Sequence, residues 1–315
     1  MKKISGKVPL TVLKRSVINL IGEGPRTGID AAPIRLPKEK DGVLMASSCG
    51  ALDNPVSAQL AVYKACNNIW AAGGDLLGLE SVFLLEENFK ERELKELTRQ
   101  VHGAALSCGV SIDGGHTEAS PLVNGRLVTI TALGSIADSP RFVTEIKPDM
   151  DIVVTKWIAL EETALIMADE KKREPLLEHF RNDYLSETDS YINYLTVKEE
   201  ALLGRELGVT AMHDLSDGGI FGGLWELAEA SGCGFEVDLR SIPVTQETIE
   251  ICTFFDLNPY KLKSSGSLLM VTEEGNELVR ALKEQDIPAV LIGKTTNNND
   301  KIIRNADEIR YLDKT

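Results

Sequence analysis

The sequence has no uninterrupted apolar run of about 18 residues and no surplus of basic side chains. The first absence predicts that no helix spans a membrane, and residues 1–16 lack the apolar stretch of a signal peptide. Lysine and arginine together number 34 against 48 aspartates and glutamates, which gives a net charge of -14. A field of this sign repels nucleic acid, and no basic stripe interrupts it. We therefore expect neither a membrane nor a nucleic acid as partner.

The cysteines show no sign of a disulfide framework. There are five of them, an odd number, and no two have the CxxC spacing. This pattern favours reduced thiols in a cytoplasmic protein. The five are Cys49, Cys66, Cys108, Cys233 and Cys252.

Two common types of catalytic motif are also missing. The sequence contains no Gly-x-Ser-x-Gly elbow and no histidines paired at helical spacing, which disfavours a serine hydrolase and a zinc protease. The glycine-rich segment 22–34 lacks the Gly-Lys-Ser/Thr ending of a phosphate-binding loop, which favours a flexible loop. Its Asp30 is either a turn-forming residue or a cation ligand beside a phosphate.

Strand-like and helical patterns alternate in both halves of the chain. The clearest strand is Leu127–Ile136, which is apolar and β-branched, and residues 53–73 have apolar side chains at helical spacing. A polar connector with two prolines follows the strand, and we place a domain boundary near residue 148. The length suits two domains, 1–148 and 149–315, each of an α/β or α+β class.

Two short segments combine small residues with polar side chains. Ser111–Ser120 reads SIDGGHTEAS, which we predict to be a loop that either lets a ligand approach the backbone or forms a solvated hairpin tip. Ala211–Gly232 begins AMHDLSDGG and continues as a helix with one apolar face. Asp214, Ser216 and Asp217 are all capping types, and one cap explains only one of them. A helix start of this kind attracts an anion.

The order of several motifs resembles the AIR synthase (PurM)-like ATP-binding proteins, and among them the hydrogenase maturation HypE type. The resemblance spans residues 6–295. The motifs are GIDAAPI, NNIWAAGG, DGGHTEAS, VTKWIALEETALI, AMHDLSDGGIFGGLWELAEASGCGFEVDLRSIPV and NPYKLKSSGSLLM.

The resemblance implies a two-domain fold in which the N-terminal domains pair across a homodimer and their sheets form a shared β-barrel. ATP would bind between the domains, with Mg²⁺ as a possible companion. The implied chemistry is phosphoryl transfer to a small or protein-bound acceptor, which depends on positioning and charge neutralisation. A maturation partner protein and a cytoplasmic location are further expectations.

The resemblance also implies roles for individual residues. Asp30 would bind the metal. Asp30, His116 and Asp214 would act in catalysis. The residues expected to bind the nucleotide are Asn68, Gly114, Gly115, Thr117, Lys156, Gly218 and Gly219.

Three positions depart from the aspartates that the family usually has, and they are occupied by Cys49, Asn68 and His116. Mg²⁺ prefers hard oxygen ligands, so their loss weakens a magnesium site. Two alternatives therefore remain beside an active enzyme. One is a relative that binds a nucleotide or a partner without catalysis. The other is a site in which Cys49 and His116 bind a softer metal.

Overall fold

The computed structural model describes residues 32–35, 42–136 and 141–312. Two sheets divide this part of the chain, the first built before residue 136 and the second after residue 150. Within these ranges, no helix is both long enough and apolar enough to cross a membrane.

The first sheet has five strands in the order β1-β2-β5-β3-β4, and within the described residues it is open. All neighbours are antiparallel except β3 and β4, which are parallel. The strands are β1 (Ala32–Arg35), β2 (Gly42–Ala51), β3 (Asp75–Leu85), β4 (Ile112–Ala119) and β5 (Leu127–Ser135).

Side chains alternate between the two faces of this sheet, as the period of a strand requires. In β5, Val128, Ile130 and Ala132 are buried, whereas Leu127 and Leu133 are exposed. The buried face is covered by helix α1 (Ser57–Ala71), and α2 (Glu91–Ser107) packs against α1. No described helix or strand packs on the opposite face.

The second sheet has seven strands in the order β12-β11-β8-β10-β6-β9-β7. Its neighbouring strands β6 (Asp151–Thr155) and β9 (Leu268–Thr272) are buried along their whole length, which fits their nearly continuous apolar sequences. The remaining strands are β7 (Ala211–Asp214), β8 (Gly234–Asp238), β10 (Ala289–Thr296), β11 (Lys301–Asn305) and β12 (Glu308–Tyr311). The helices of this half are α3 (Leu160–Ala168), α4 (Glu170–His179), α5 (Asn182–Ser186), α6 (Lys198–Glu206), α7 (Gly219–Ser231), α8 (Gln246–Phe254) and α9 (Gly275–Glu284).

Helix α1 is the element that joins the two halves. It is buried on nearly every side, because one side packs on the first sheet and the other contacts β7 and α6. A single apolar cluster therefore contains Ala61 and Ile69 of α1 together with Leu195, Met212 and Met270 of the second half. The result is the mixed α/β, two-domain architecture that the sequence predicts.

Most predicted strands and helices are present, with ends within a few residues of expectation. The loop predicted around Gly114, Gly115, His116 and Thr117 is wrong, because these residues form the edge strand β4. A Cβ on Gly115 would overlap the carbonyl oxygen of Ser81 on β3. The glycine thus permits close pairing with the neighbouring strand, so the backbone of β3 occupies the space in which a ligand was expected.

Candidate functional site

Two predicted site motifs from different domains meet at the face of α1 that points to the second half. Asn67 is completely buried in α1, and its side-chain amide lies 3.4 Å from Oδ1 of Asp214, at the end of β7. The same amide donates to the carbonyl of Leu195 at 2.9 Å, and its oxygen accepts from the amide N–H of Val197 at 3.0 Å. Asn67 therefore fixes the two domains relative to one another through three hydrogen bonds.

A lysine that sequence reasoning missed lies one helical turn earlier. Lys64 Nζ is 2.8 Å from Oε1 of Glu161 in α3 and 3.5 Å from Oδ1 of Asp217, just before α7. The side chain of Lys64 is 14% exposed and that of Glu161 only 2%. The available signal was a single charge in the middle of an apolar helix, but nothing in the sequence identifies its partners.

Lys64 lies among carboxylates of the second domain. Burial lowers the pKa of Lys64, but the carboxylates of Glu161 and Asp217, with a smaller effect from Asp214, outweigh it and raise the pKa above 10.5. The second oxygen of Glu161, Oε2, is buried and has no hydrogen-bond partner within the described ranges.

The glycines before α7 let the chain's own backbone come close. Gly218 and Gly219 have φ values of 90° and 61°, a region that favours glycine. A Cβ on Gly219 would overlap the carbonyl oxygen of Leu262, in the loop before β9. This loop is also bonded to the turn before α7, because the N–H of Ser264 donates to the carbonyl of Ser216. None of the three polar residues before α7 caps it, because the N-cap position is Gly218, so the capping interpretation is wrong.

Lys156 uses its donors within the protein. Its Nζ donates to the carbonyls of Tyr194 and Thr196 at 3.2 and 2.6 Å and lies 2.7 Å from Oε1 of Glu200. An ammonium group has three protons, so these contacts use all of them. A contact between Lys156 and a nucleotide would have to displace one of these acceptors.

His116 lies on the other face of the first sheet, away from α1. Cys49, Thr129, Val82 and His116 form one row across four neighbouring strands, so their side chains share the uncovered face. Three strand spacings separate Cys49 from His116, about 14 Å, which is too far for one ion to bind both within one chain. The described residues also contain no group of three His, Cys, Asp or Glu side chains that could hold a metal.

The remaining predicted residues lie in α1, on β4 or outside the described residues. Asn68 is half-buried in α1 beside Asn67, and its side chain makes no hydrogen bond to the described residues. Gly114 and Thr117 are exposed on β4. Asp30, the predicted metal ligand, lies outside the described residues.

Comparison with family models matches both halves of the chain. The model described as AIR synthase related protein, N-terminal domain, matches residues 28–136. The one described as AIR synthase related protein, C-terminal domain, matches residues 158–304.

Curated relatives are similar at moderate identity. Carbamoyl dehydratase HypE of Rhizobium leguminosarum bv. viciae is 28% identical over 225 residues, which is 70% of this chain and 62% of the relative. A putative hydrogenase expression/formation protein of Methanocaldococcus jannaschii is 22% identical over 251 residues, 78% of this chain and 72% of that protein. The match thus spans less than two thirds of the first relative's length.

Solved structures share the fold over nearly the whole chain. A HypE–HypF complex matches with a TM-score of 0.78 at 20% identity and covers 97% of this chain and 98% of that chain. HypE in complex with ATP matches with a TM-score of 0.74 at 21% identity and covers 99% and 96%.

Proposed function

Because the chain belongs to the AIR synthase related family, we propose that it binds ATP between its two domains and transfers a phosphoryl group to a small or protein-bound acceptor. The observation that carries this proposal is the contact between Asn67 and Asp214. It brings together two motifs that the family resemblance assigns to the site, although they belong to different domains. The HypE relatives and the ATP complex of a HypE with the same fold support the same function.

Among the described residues, the start of α7 favours ATP binding and the nearby carboxylates oppose it. No described side chain caps the start of α7, and a helix of 13 residues has a positive dipole end at its N-terminus, which suits a phosphate. The carboxylates of Glu161 and Asp217 oppose such an anion, and Lys64 lies between them. No three-ligand metal group exists among the described residues, so we assign Mg²⁺ no step.

ATP, when bound, would supply the phosphoryl group. We assign Asp214 the task of accepting the proton that a hydroxyl acceptor loses, with Asn67 holding the carboxylate in place. His116 and Asp30 remain proposed catalytic residues, and Asp30 a proposed metal ligand. Asn68, Gly114, Gly115, Thr117, Lys156, Gly218 and Gly219 remain the proposed nucleotide contacts. The boundary between the domains is proposed at residue 148, giving 1–148 and 149–315.

We also propose that two copies pair through the uncovered face of the first sheet and close a shared barrel. Met45 and Leu133 lie opposite one another on this face and are both 39% exposed, and Leu127 is exposed on the same face at the other end of β5. Pairing of two copies would cover them and bring His116 near a second chain. Sedimentation of a Leu133→Lys variant should show a monomer, whereas Leu122→Lys, on an exposed loop, should leave the dimer intact. A wild-type chain that sediments as a monomer contradicts this part of the proposal.

A thermal shift experiment tests nucleotide binding. ATP at about 100 times its Kd should stabilise the fold by about 2.7 kcal/mol, a rise in Tm of roughly 5–10 °C. Release of ADP measures the chemistry. Asp214→Asn should abolish release, while Asp169→Asn, at the start of α4 where Asn also caps, should not.

The alternative is a non-catalytic relative, which the replacement of three family aspartates by Cys49, Asn68 and His116 favours. No Tm shift with ATP, ADP or GTP would refute the ATP proposal. A shift without ADP release would refute only catalysis and favour a binding role, with a maturation partner protein as the candidate.

A further inference from the structure

The loop before β9 contains three serines that are completely buried, and they differ in their hydrogen bonds. The hydroxyl of Ser264 accepts from the amide N–H of Ala159 at 2.7 Å, and that of Ser267 donates to the carbonyl of Trp157 at 2.5 Å. The third hydroxyl, Oγ of Ser265, has no partner within the described part of the chain. A buried hydroxyl without a partner destabilises the fold, so its presence needs an explanation.

This loop is hydrogen-bonded to the turn that precedes α7. The N–H of Ser264 donates to the carbonyl of Ser216 at 3.2 Å, and the N–H of Leu215 donates to the carbonyl of Ser267 at 3.1 Å. The two bonds lie on either side of Ser265 along the loop. They therefore hold Ser265 beside the turn that leads into α7.

Two further features of this place favour an anion. Helix α7 has 13 residues, so its N-terminus is the positive end of a dipole, and its N-cap residue Gly218 has no side chain that would compete. Lys64 brings a cation to the same turn, because its Nζ lies 3.5 Å from Oδ1 of Asp217. Ser265 adds a hydrogen-bond donor, since a serine hydroxyl donates without introducing a charge.

We propose that the hydroxyl of Ser265 donates a hydrogen bond to a phosphoryl oxygen of the bound nucleotide. This inference rests on the proposed function, to which it adds a binding residue from the second domain. In the ligand-free chain the donor is unpaired within the described residues, and the phosphoryl oxygen supplies the missing acceptor. A hydrogen bond to a charged oxygen is stronger than one between neutral groups, which favours the bound state.

A nucleotide reaches Ser265 only if part of its surroundings moves, because the residue has no exposed surface. The turn before α7, to which the loop is bonded, does contact solvent. The side chain of Asp217 is 37% exposed, and Gly218 is exposed with a φ of 90°. Exposed turns open locally at a low free energy, so we expect binding to displace residues 216–218 rather than the buried strands β7 and β9.

Thermal unfolding without nucleotide tests whether the hydroxyl is unpaired. Ser265→Ala should leave the Tm unchanged or raise it by up to about 3 °C, because it removes a buried donor that has no partner. The matched control is Ser267→Ala in the same loop. It removes the hydrogen bond to Trp157 and should lower the Tm by about 2–4 °C.

Calorimetric titration with ATP tests the contact itself. Ser265→Ala should raise the Kd for ATP about tenfold to a hundredfold, as expected for the loss of a hydrogen bond to a charged group. Ser265→Cys keeps the size of the side chain but has only a weak donor, so its Kd should rise as well. Adenosine has no phosphoryl group, and its Kd should be the same in the wild-type chain and both variants. Ser267→Ala should leave the Kd for ATP unchanged.

The outcomes separate this inference from the proposed function. If ATP does not bind the wild-type chain, both are refuted. If ATP binds and Ser265→Ala changes its Kd by less than about threefold, only the role of Ser265 is refuted. A fall in Tm as large as that of Ser267→Ala would also overturn this role, because the hydroxyl would then be structural. An equal loss of affinity for adenosine would place the contact away from the phosphoryl groups and overturn it too. If Ser265→Ala does not fold, the Kd of Ser265→Cys decides by the same threshold.

Discussion

The ion pair between Lys64 and Glu161 should be one of the strongest links between the two domains. We propose a double-mutant cycle with Lys64→Met and Glu161→Gln. Both changes remove the charge; Glu161→Gln keeps the length of the side chain, and Lys64→Met shortens it by one atom. The second domain contributes Glu161 and the first contributes Lys64, so the coupling free energy measures a contact across the boundary.

The magnitude follows from distance and burial. Two unit charges 2.8 Å apart attract by about 6 kcal/mol at an effective dielectric constant of about 20, before desolvation is subtracted. Breaking a buried pair by removing one partner typically costs about 3–5 kcal/mol. We expect about 3–4 kcal/mol for Lys64→Met, because it leaves Glu161 buried without a cation. Glu161→Gln should cost less, about 2 kcal/mol, because Lys64 keeps Asp217.

The double variant should lose only about 3 kcal/mol of unfolding free energy, because neither Lys64 nor Glu161 is then left as an unpaired buried charge. Urea unfolding measures these values, and the coupling should be about 2–3 kcal/mol. The matched control is the exposed pair of Lys95 and Glu91 on α2, whose N–O distance is 2.6 Å. The same substitutions there should show a coupling below about 0.5 kcal/mol.

The pH dependence gives a second check on the same pair. The folded pKa of Lys64 is raised above 10.5, so its contribution to stability is fully present below that pH. The coupling should therefore be constant between pH 7 and 9 and decline only as the pH rises through the folded pKa. Additive effects, with coupling under about 0.5 kcal/mol at neutral pH, would refute the assignment of a buried interdomain ion pair.

Two further substitutions test the packing of the site. Asn67→Ala should lower the free energy of unfolding by about 3 kcal/mol, because the buried Val197 N–H and Leu195 carbonyl lose their partner. The control Asn68→Ala should cost under about 1 kcal/mol. Equal losses would contradict the role of Asn67. Gly219→Ala should cost more than about 2 kcal/mol, because the new Cβ overlaps a carbonyl oxygen at a positive φ. Gly232→Ala has a similar φ of 75°, but no described atom lies within 4 Å of the new Cβ, so about 1 kcal/mol is expected in the same thermal or urea measurement.

Local sequence patterns predicted the regular elements well where apolar periodicity is strong. The β-branched run in β5 and the apolar spacing in α1 leave little choice of structure. The patterns failed where polar residues form strands. β4 is rich in glycine and charge and was predicted as a loop, and the charged strands β11 and β12 at the edge of the second sheet were not predicted at all. The strands β4 and β12 lie at sheet edges and are mostly exposed, so their sequences lack the apolar alternation by which a strand is predicted.

The candidate site shows a different limit. The resemblance pointed to the Asn67 segment and to Asp214, and the fold joins them, but it gave no sign of Lys64 or Glu161. An ion pair between residues this far apart in sequence depends on how α1 packs between two sheets. Helical spacing reveals that α1 is buried on both sides, whereas the identity of its neighbours is a property of the whole fold.

The same geometry separates the predicted residues within a single chain. Asn67 and Asp214 lie on the α1 side of the first sheet, and His116 lies in the row of side chains on its other face. A sheet with α1 packed on one face separates them. If His116 acts on the same nucleotide as Asp214, it must therefore do so around the sheet edge at β4 or from a second copy. A dimer in which His116→Ala subunits are mixed with Asp214→Asn subunits distinguishes these routes, because only action between copies restores activity in the mixture.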